Sequence, residues 1–295
     1  MKRFPVPTYV YPLAAMLFWG LSFIWSSVLL QSYQPVTIIF ARLVISSAFL
    51  FGVIRLSGNR QRIAREDLRL FLFSSLFNPF LYFLCENYGL KYSSPTISAV
   101  IIATIPVFSP LVGYITFREK LTMLNIAGIG ISFGGVILML FTGSLSPAAS
   151  PIGILFLFGA VFSSLFYSVA LRKLTERYSA LMIVAVQNFF GIFLFLPFFL
   201  IFEASSAVSV PLVAKNITAL LLLAILASSM AFVLFAHSVK LLGISKSNIF
   251  SNLIPVFTAI FSYLLIDESF SLRKIGGIAL VIAGVYLSER TRKKG

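Results

Sequence analysis

The chain has one cysteine, Cys85, and one histidine, His237, in 295 residues. An intrachain disulfide framework is therefore impossible, and zinc clusters built from Cys and His are excluded. No metal and no other cofactor is expected. Charge is also scarce, at 11% of residues where soluble domains carry about 25%. Acids are the scarcer kind, with nine Asp and Glu against 23 Lys and Arg. Neither a His-Glu-x-x-His pattern nor a phosphate-binding P-loop occurs, so no catalytic residue is assigned and the chain reads as a non-enzyme. Any transport it performs is then secondary or facilitative.

What is abundant is apolar. Hydrophobic residues make up 59% of the chain, and Phe alone occurs 32 times. So little polar surface cannot cover a water-soluble fold, and the chain reads as an all-α, multi-pass membrane protein in contact with a lipid bilayer. Apolar runs fall at residues 9–30, 35–54, 70–90, 94–117, 122–141, 151–171, 179–202, 216–239, 244–266 and 272–288. Each approaches the roughly 20 residues needed to span a bilayer, which predicts ten transmembrane helices. The net charge of +14 would suggest nucleic acid in a soluble protein; here it fits cationic cytoplasmic loops, and no nucleic-acid partner is expected. With the N-terminus inside, eighteen basic residues fall in inner loops and only Lys91, Lys215, Arg273 and Lys274 in outer ones. That asymmetry predicts both termini in the cytoplasm. The lack of long loops favours a bacterial inner membrane, and the protein is expected as a monomer or homodimer.

The chain repeats itself. Ile105-Pro106-Val107-Phe108 recurs as Ile254-Pro255-Val256-Phe257, an offset of 149 residues. Lys91, Tyr114, Glu119, Ile126, Gly128, Ile129, Gly135 and Val136 recur at the same offset as Lys240, Tyr263, Glu268, Ile275, Gly277, Ile278, Gly284 and Val285. Two halves, 1–145 and 146–295, would each hold five spans. Five is odd, so the second half enters the membrane from the opposite side. Inverted repeats of this kind are typical of secondary transporters, whose site lies between the halves.

Trp19-Gly20-x-Ser22-Phe23 in the first run, Arg42 in the second, and the two Ile-Pro-Val-Phe segments followed by Glu119 and Glu268 resemble the EamA-like family of the drug/metabolite transporter superfamily. The resemblance covers nearly the whole chain. It implies ten helices, N-in and C-in, and transport of small metabolites, often amino acid efflux. The second half departs from the pattern: Ser163 to Phe166 stand where the first has Trp-Gly, and no Arg matches Arg42.

Ionisable groups inside a span are costly and so mark candidate sites. Arg42 and Glu86 fall at similar depths with opposite charges, so they either pair or share one hydrated vestibule. Arg42 would take a carboxylate through its planar fork and Glu86 an amine, the recognition of a small zwitterion. The alternative is a structural ion pair. Helical spacing puts Asn78, Tyr82 and Glu86 on one face, Asn248 and Asn252 on another, and Trp19, Ser22 and Phe23 on a third. With Gln187, Asn188 and His237 these are expected to line a substrate cavity, interhelical hydrogen bonding being their alternative role. Pro106 and Pro255 are symmetry mates and candidate flex points for gating helices. Gly128 and Gly130-x-x-x-Gly134, with Gly276, Gly277 and Gly284, are expected to let two helices pack closely. The functional expectation is a carrier, an exporter of amino acids or similar metabolites by alternating access. A multidrug carrier of the same superfamily, a channel and an intramembrane enzyme are the alternatives.

Overall fold

The computed structural model describes residues 8–58, 60–108, 122–140, 149–243, 247–248, 250–269 and 271–289, and these are helical with no strand. The helices are α1 (Val10–Leu30), α2 (Pro35–Ser57), α3 (Arg65–Lys91), α4 (Pro95–Phe108), α5 (Met123–Leu140), α6 (Pro151–Arg177), α7 (Ala180–Val208), α8 (Ala214–Leu242), α9 (Phe250–Ile266) and α10 (Leu272–Glu289). Six of them, α1, α2, α3, α6, α7 and α8, are long and apolar enough to cross a membrane. The others coincide with predicted runs but are shorter or carry more charge. Pro110, Tyr114, Arg118, Glu119, Lys120 and Lys246 lie outside the described residues.

Local chemistry sets the helix ends. Pro35, Pro95 and Pro151 stand at the first helical position, where the missing N–H costs nothing. Ser94 caps α4 by accepting from the Ile97 amide at 3.3 Å, and Ser179 caps α7 by accepting from the Met182 amide at 3.3 Å. Gly58, with φ 68°, ends α2 in the left-handed region that glycine alone enters freely.

Helix α7 has a wide turn at Phe199–Glu203, and two pairs of helices are interrupted at places related by the 149-residue offset. In α3 a wide π-helical turn spans Leu76–Leu81, with Asn78 leaving helical space at φ −144° and ψ 118°. Its mate α8 has a wide turn at Leu223–Ala231. Helix α4 breaks after Ile102 at a turn through Ala103 and Thr104, and its mate α9 opens with a 3₁₀ turn at Phe250–Asn252. Carbonyls loosened by such turns need donors when no water is at hand. Ser163 donates to the Phe77 carbonyl at 2.7 Å, Ser228 to Leu223 at 3.1 Å and Ser229 to Ala224 at 2.9 Å. Pro106 and Pro255 sit just after the α4 and α9 breaks, in the first turn of the segment that follows. They therefore begin helical segments; neither kinks a continuous helix.

The packing shares the symmetry of the sequence. Helix α1 packs on α8 as α3 packs on α6, and α1 on α9 as α4 on α6. Helices α2 and α7, α4 and α9, and α5 and α10 each pack against their own mate. The α5–α10 crossing is antiparallel. A Cβ placed on Gly284 would lie 2.6 Å from the Gly128 carbonyl oxygen, and one on Gly135 would lie 2.7 Å from that of Gly277. These two contacts exchange under the offset. Between them Ser132 donates to the carbonyl of Val281, its own counterpart, at 3.2 Å. Gly130 and Gly134 do not take part, since nothing lies within 4 Å of a Cβ at either. The close-packing stripe is thus Gly128, Ser132 and Gly135, at spacings of four and three, and of the glycines expected on it in α5 only Gly128 takes part.

Candidate functional site

A cavity of about 50 Å³ lies where the interrupted helices converge. Trp19, Ser22, Phe23, Arg42, Asn78, Tyr82, Glu86 and Asn248 line it. The helix breaks explain why these residues meet. Asn78 reaches the cavity from the non-helical residue of α3, while Ile102 and Ile105 flank the α4 break. Their mates Ser251, within the 3₁₀ turn of α9, and Ile254, just after it, line the same space.

Arg42 is 2% exposed. Its Nε donates to Ser228 Oγ at 2.6 Å, and its guanidinium carbon lies 4.0 Å from the centre of the Phe83 ring, a cation–π contact. Ser228 is itself held. Asn188 donates through Nδ2 to the Ser228 carbonyl at 3.1 Å and to Ser46 Oγ at 2.7 Å, and Ser46 shares a hydrogen bond with Ser229 at 2.6 Å. Across the cavity, Glu86 accepts from the Tyr82 hydroxyl at 3.0 Å. No ion pair joins Arg42 to Glu86. Arg42 and Glu86 thus line one cavity without forming the ion pair that was the alternative. Aromatic rings form the rest of the wall. Trp19 packs 5.0 Å from Phe232 and 5.1 Å from Phe235, and Phe83 lies 5.8 Å from Phe232. The Trp19 indole N–H is buried with no acceptor.

Four expected cavity residues lie elsewhere. Gln187 stands behind the wall, donating to Ser74 and accepting from the Tyr167 hydroxyl at 3.3 Å. Asn188 supports Arg42 from behind, as described. His237 packs edge-on against Tyr11, ring centres 4.7 Å apart. It follows the cavity-facing Phe235 by two residues, which turns it about 200° around α8. Asn252 is half-buried beside the α9 turn and its Oδ1 has no partner.

The sequence reading missed Tyr167, Ser164 and Ser168 of α6, which supply a polar stretch of cavity wall. It also missed Glu203. This buried carboxylate lies one residue beyond the predicted seventh run and accepts from the Val36 amide at 3.3 Å, the Thr37 amide at 2.6 Å and the Thr37 hydroxyl at 2.8 Å. It caps α2 from α7, a placement favoured by the positive end of the helix dipole. Outside the spans, the Tyr178 hydroxyl donates to Asp67 at 2.7 Å, and burial pushes its phenol above the ordinary tyrosine range. One string, Gly130-Ile131-Ser132-Phe133-Gly134, has the spacing of a nucleophile elbow. Ser132 is buried inside α5 with its hydroxyl spent on Val281, so it cannot act as one.

Both halves of the chain, residues 7–141 and 151–290, match the model of the EamA-like transporter family. The chain belongs to that family. Like its relatives it is a multi-pass membrane transporter. The uncharacterized transporter YetK of Bacillus subtilis is 29% identical over 79% of this chain and 71% of its own length. YcxC of the same organism, also an uncharacterized transporter, is 24% identical over 100% of this chain and 98% of its own. A Chlamydia trachomatis protein named an S-adenosylmethionine/S-adenosylhomocysteine transporter is 23% identical over 91% of this chain and 85% of its own. A solved crystal structure at 18% identity superposes with a TM-score of 0.67, covering 93% of this chain and 97% of that one, a likeness of fold.

Proposed function

We propose that this EamA-like transporter is a secondary carrier that exports amino acids or similar small metabolites by alternating access. In this reading ten helices span a bacterial inner membrane with both termini in the cytoplasm. Residues 1–145 and 146–295 form two inverted halves around one site. The observation that carries the reading is the cavity itself. It holds one buried guanidinium and one buried carboxyl group that do not touch, among aromatic walls, where repeat-related helix breaks meet. Interrupted helices at the junction of two repeats are where carriers hold substrate and change shape. Opposite charges on one cavity suit a zwitterion, and the turns beside Pro106 and Pro255 are natural flex points.

The test is exchange in proteoliposomes. A carrier loaded inside with the right substrate accelerates uptake of labelled substrate from outside, whereas a channel is indifferent to what lies on the far side. Trans-stimulated flux of an amino acid supports the proposal, and flux unaffected by internal substrate refutes it. The relative named for S-adenosylmethionine makes that compound a sensible member of the substrate panel.

A further inference from the structure

The state of Arg42 goes further than the carrier reading on which this inference rests. A buried guanidinium is normally neutralised by a carboxylate, because an uncompensated buried charge is strongly destabilising. Here the protein gives Arg42 one hydrogen bond, from Nε to Ser228, and a ring face. Among the described residues, Nη1 and Nη2, the two nitrogens of the fork that best matches a carboxylate, have no acceptor. Glu86, the one carboxylate lining the cavity among the described residues, is engaged with Tyr82 instead. A second unpaired donor, the Trp19 indole N–H, belongs to the same wall, linked to Arg42 through Phe232 and Phe83.

Fixing Nε also fixes the plane of the fork. The residues that fix it come from the other half of the chain: Ser228 from the wide turn of α8, and Asn188 of α7, which holds the Ser228 carbonyl. Arg42 itself is on α2. The fork is therefore aimed only while α2, α7 and α8 keep this arrangement. A ligand gripped by it binds one conformation more tightly than any other, and differential affinity is what allows a ligand to shift a conformational equilibrium.

We propose that the transported molecule carries a carboxylate that docks on Nη1 and Nη2 of Arg42, and that Ser228 and Asn188 are positioning residues that aim this anion grip. The carboxylate is that of an amino acid or of a simple organic acid with an apolar body.

The probes are matched sets in which only the carboxylate changes: the common L-amino acids, their carboxamides, and straight-chain and phenyl-substituted monocarboxylates. Binding to full-length purified protein in detergent is read by calorimetry and thermal shift. The acid of a set is expected to bind at least about tenfold more tightly than its amide, since a site built to bond a charged group rejects the analogue that lacks it. Simple acids binding as well as amino acids would assign the carboxylate to the organic-acid class, and loss of affinity without the amine to the amino-acid class. Ser228→Ala should weaken acids severalfold and leave amides unchanged, and Ser228→Thr, which keeps the hydroxyl, should restore the preference. A purely structural role for Ser228 would weaken acids and amides alike. Should Arg42→Gln fail to fold, the acid-to-amide comparison on the native chain decides by itself. Equal binding of acids and amides, no acid bound across the panel, or a folded Arg42→Gln protein with native acid affinity would each overturn the proposal. Acid binding without trans-stimulated flux would sink the carrier reading alone. Trans-stimulated flux of an uncharged or cationic compound, unaffected by Arg42→Gln, would sink the anion grip alone.

Discussion

The crossing of α5 and α10 makes two neighbouring glycines behave oppositely. At Gly135 an added methyl meets the Gly277 carbonyl oxygen at 2.7 Å, the Val281 amide nitrogen at 2.8 Å and a Val281 side-chain carbon at 2.9 Å. Two of these are backbone atoms that cannot swing aside, so the helices must separate. Such overpacking costs about 1–3 kcal/mol, and separation also puts the hydrogen bond from Ser132 to Val281 at risk. At Gly134 the same methyl enters open space, and the greater helix propensity of alanine adds up to about 1 kcal/mol of stability. Gly135→Ala should therefore unfold several degrees below the parent protein and Gly134→Ala at or above it. Gly284→Ala, whose methyl would meet the Gly128 carbonyl oxygen and the Ser132 amide nitrogen at 2.6 Å each, should behave like Gly135→Ala. Thermal unfolding of the purified variants in one detergent, followed by thiol-reactive dye at Cys85 or by scattering, gives the ranking. Equal losses at Gly134 and Gly135, or an unaffected Gly284→Ala, would refute the antiparallel register.

Two other substitutions probe joints between distant segments. Glu203→Ala leaves the Val36 and Thr37 amides of α2 without their acceptor; hydrogen bonds to a charged group are worth about 1.5–3 kcal/mol, and a stability loss of that order is expected, with Glu203→Gln recovering part of it. Thr258→Val removes a 3.1 Å bond to the Gly20 carbonyl while keeping the side-chain shape; a loss of about 1 kcal/mol is expected, and hydrogen exchange at the α1–α9 crossing should rise with it.

Much of this architecture is legible in the sequence. Apolar runs and punctuating Pro and Gly residues place the helices because lipid allows little else, and the 149-residue offset announces which helices are mates. Helical spacing places Tyr82 and Glu86 on one wall, and Asn78 joins them there although the α3 break takes it out of helical geometry. Where a face had to be chosen with no charge to mark it, periodicity was silent. Gly130 and Gly134 have the familiar small-residue spacing, yet Gly128, Ser132 and Gly135 make the contact, because only the partner helix decides which stripe is buried. Tyr167 and Ser168 were hidden in a run that is apolar almost all round. Glu203 was hidden because α7 continues to Val208 through a stretch polar enough to resemble a loop. The turn at Ala103 and Thr104 carries no Gly or Pro of its own, and the Pro106 that follows points to a kink in the wrong place.

The α5–α10 crossing has a genealogical reading as well. Gly128 touching Gly284 and Gly135 touching Gly277 is one contact written twice, and Ser132 opposite Val281 is a position facing its own repeat mate. A polypeptide of half this length, carrying a single copy of the stripe, would present to a second copy of itself the same seam that this chain now closes internally. The two copies of the stripe are not identical: where one has Val281 the other has Ser132, whose hydroxyl bonds across the seam.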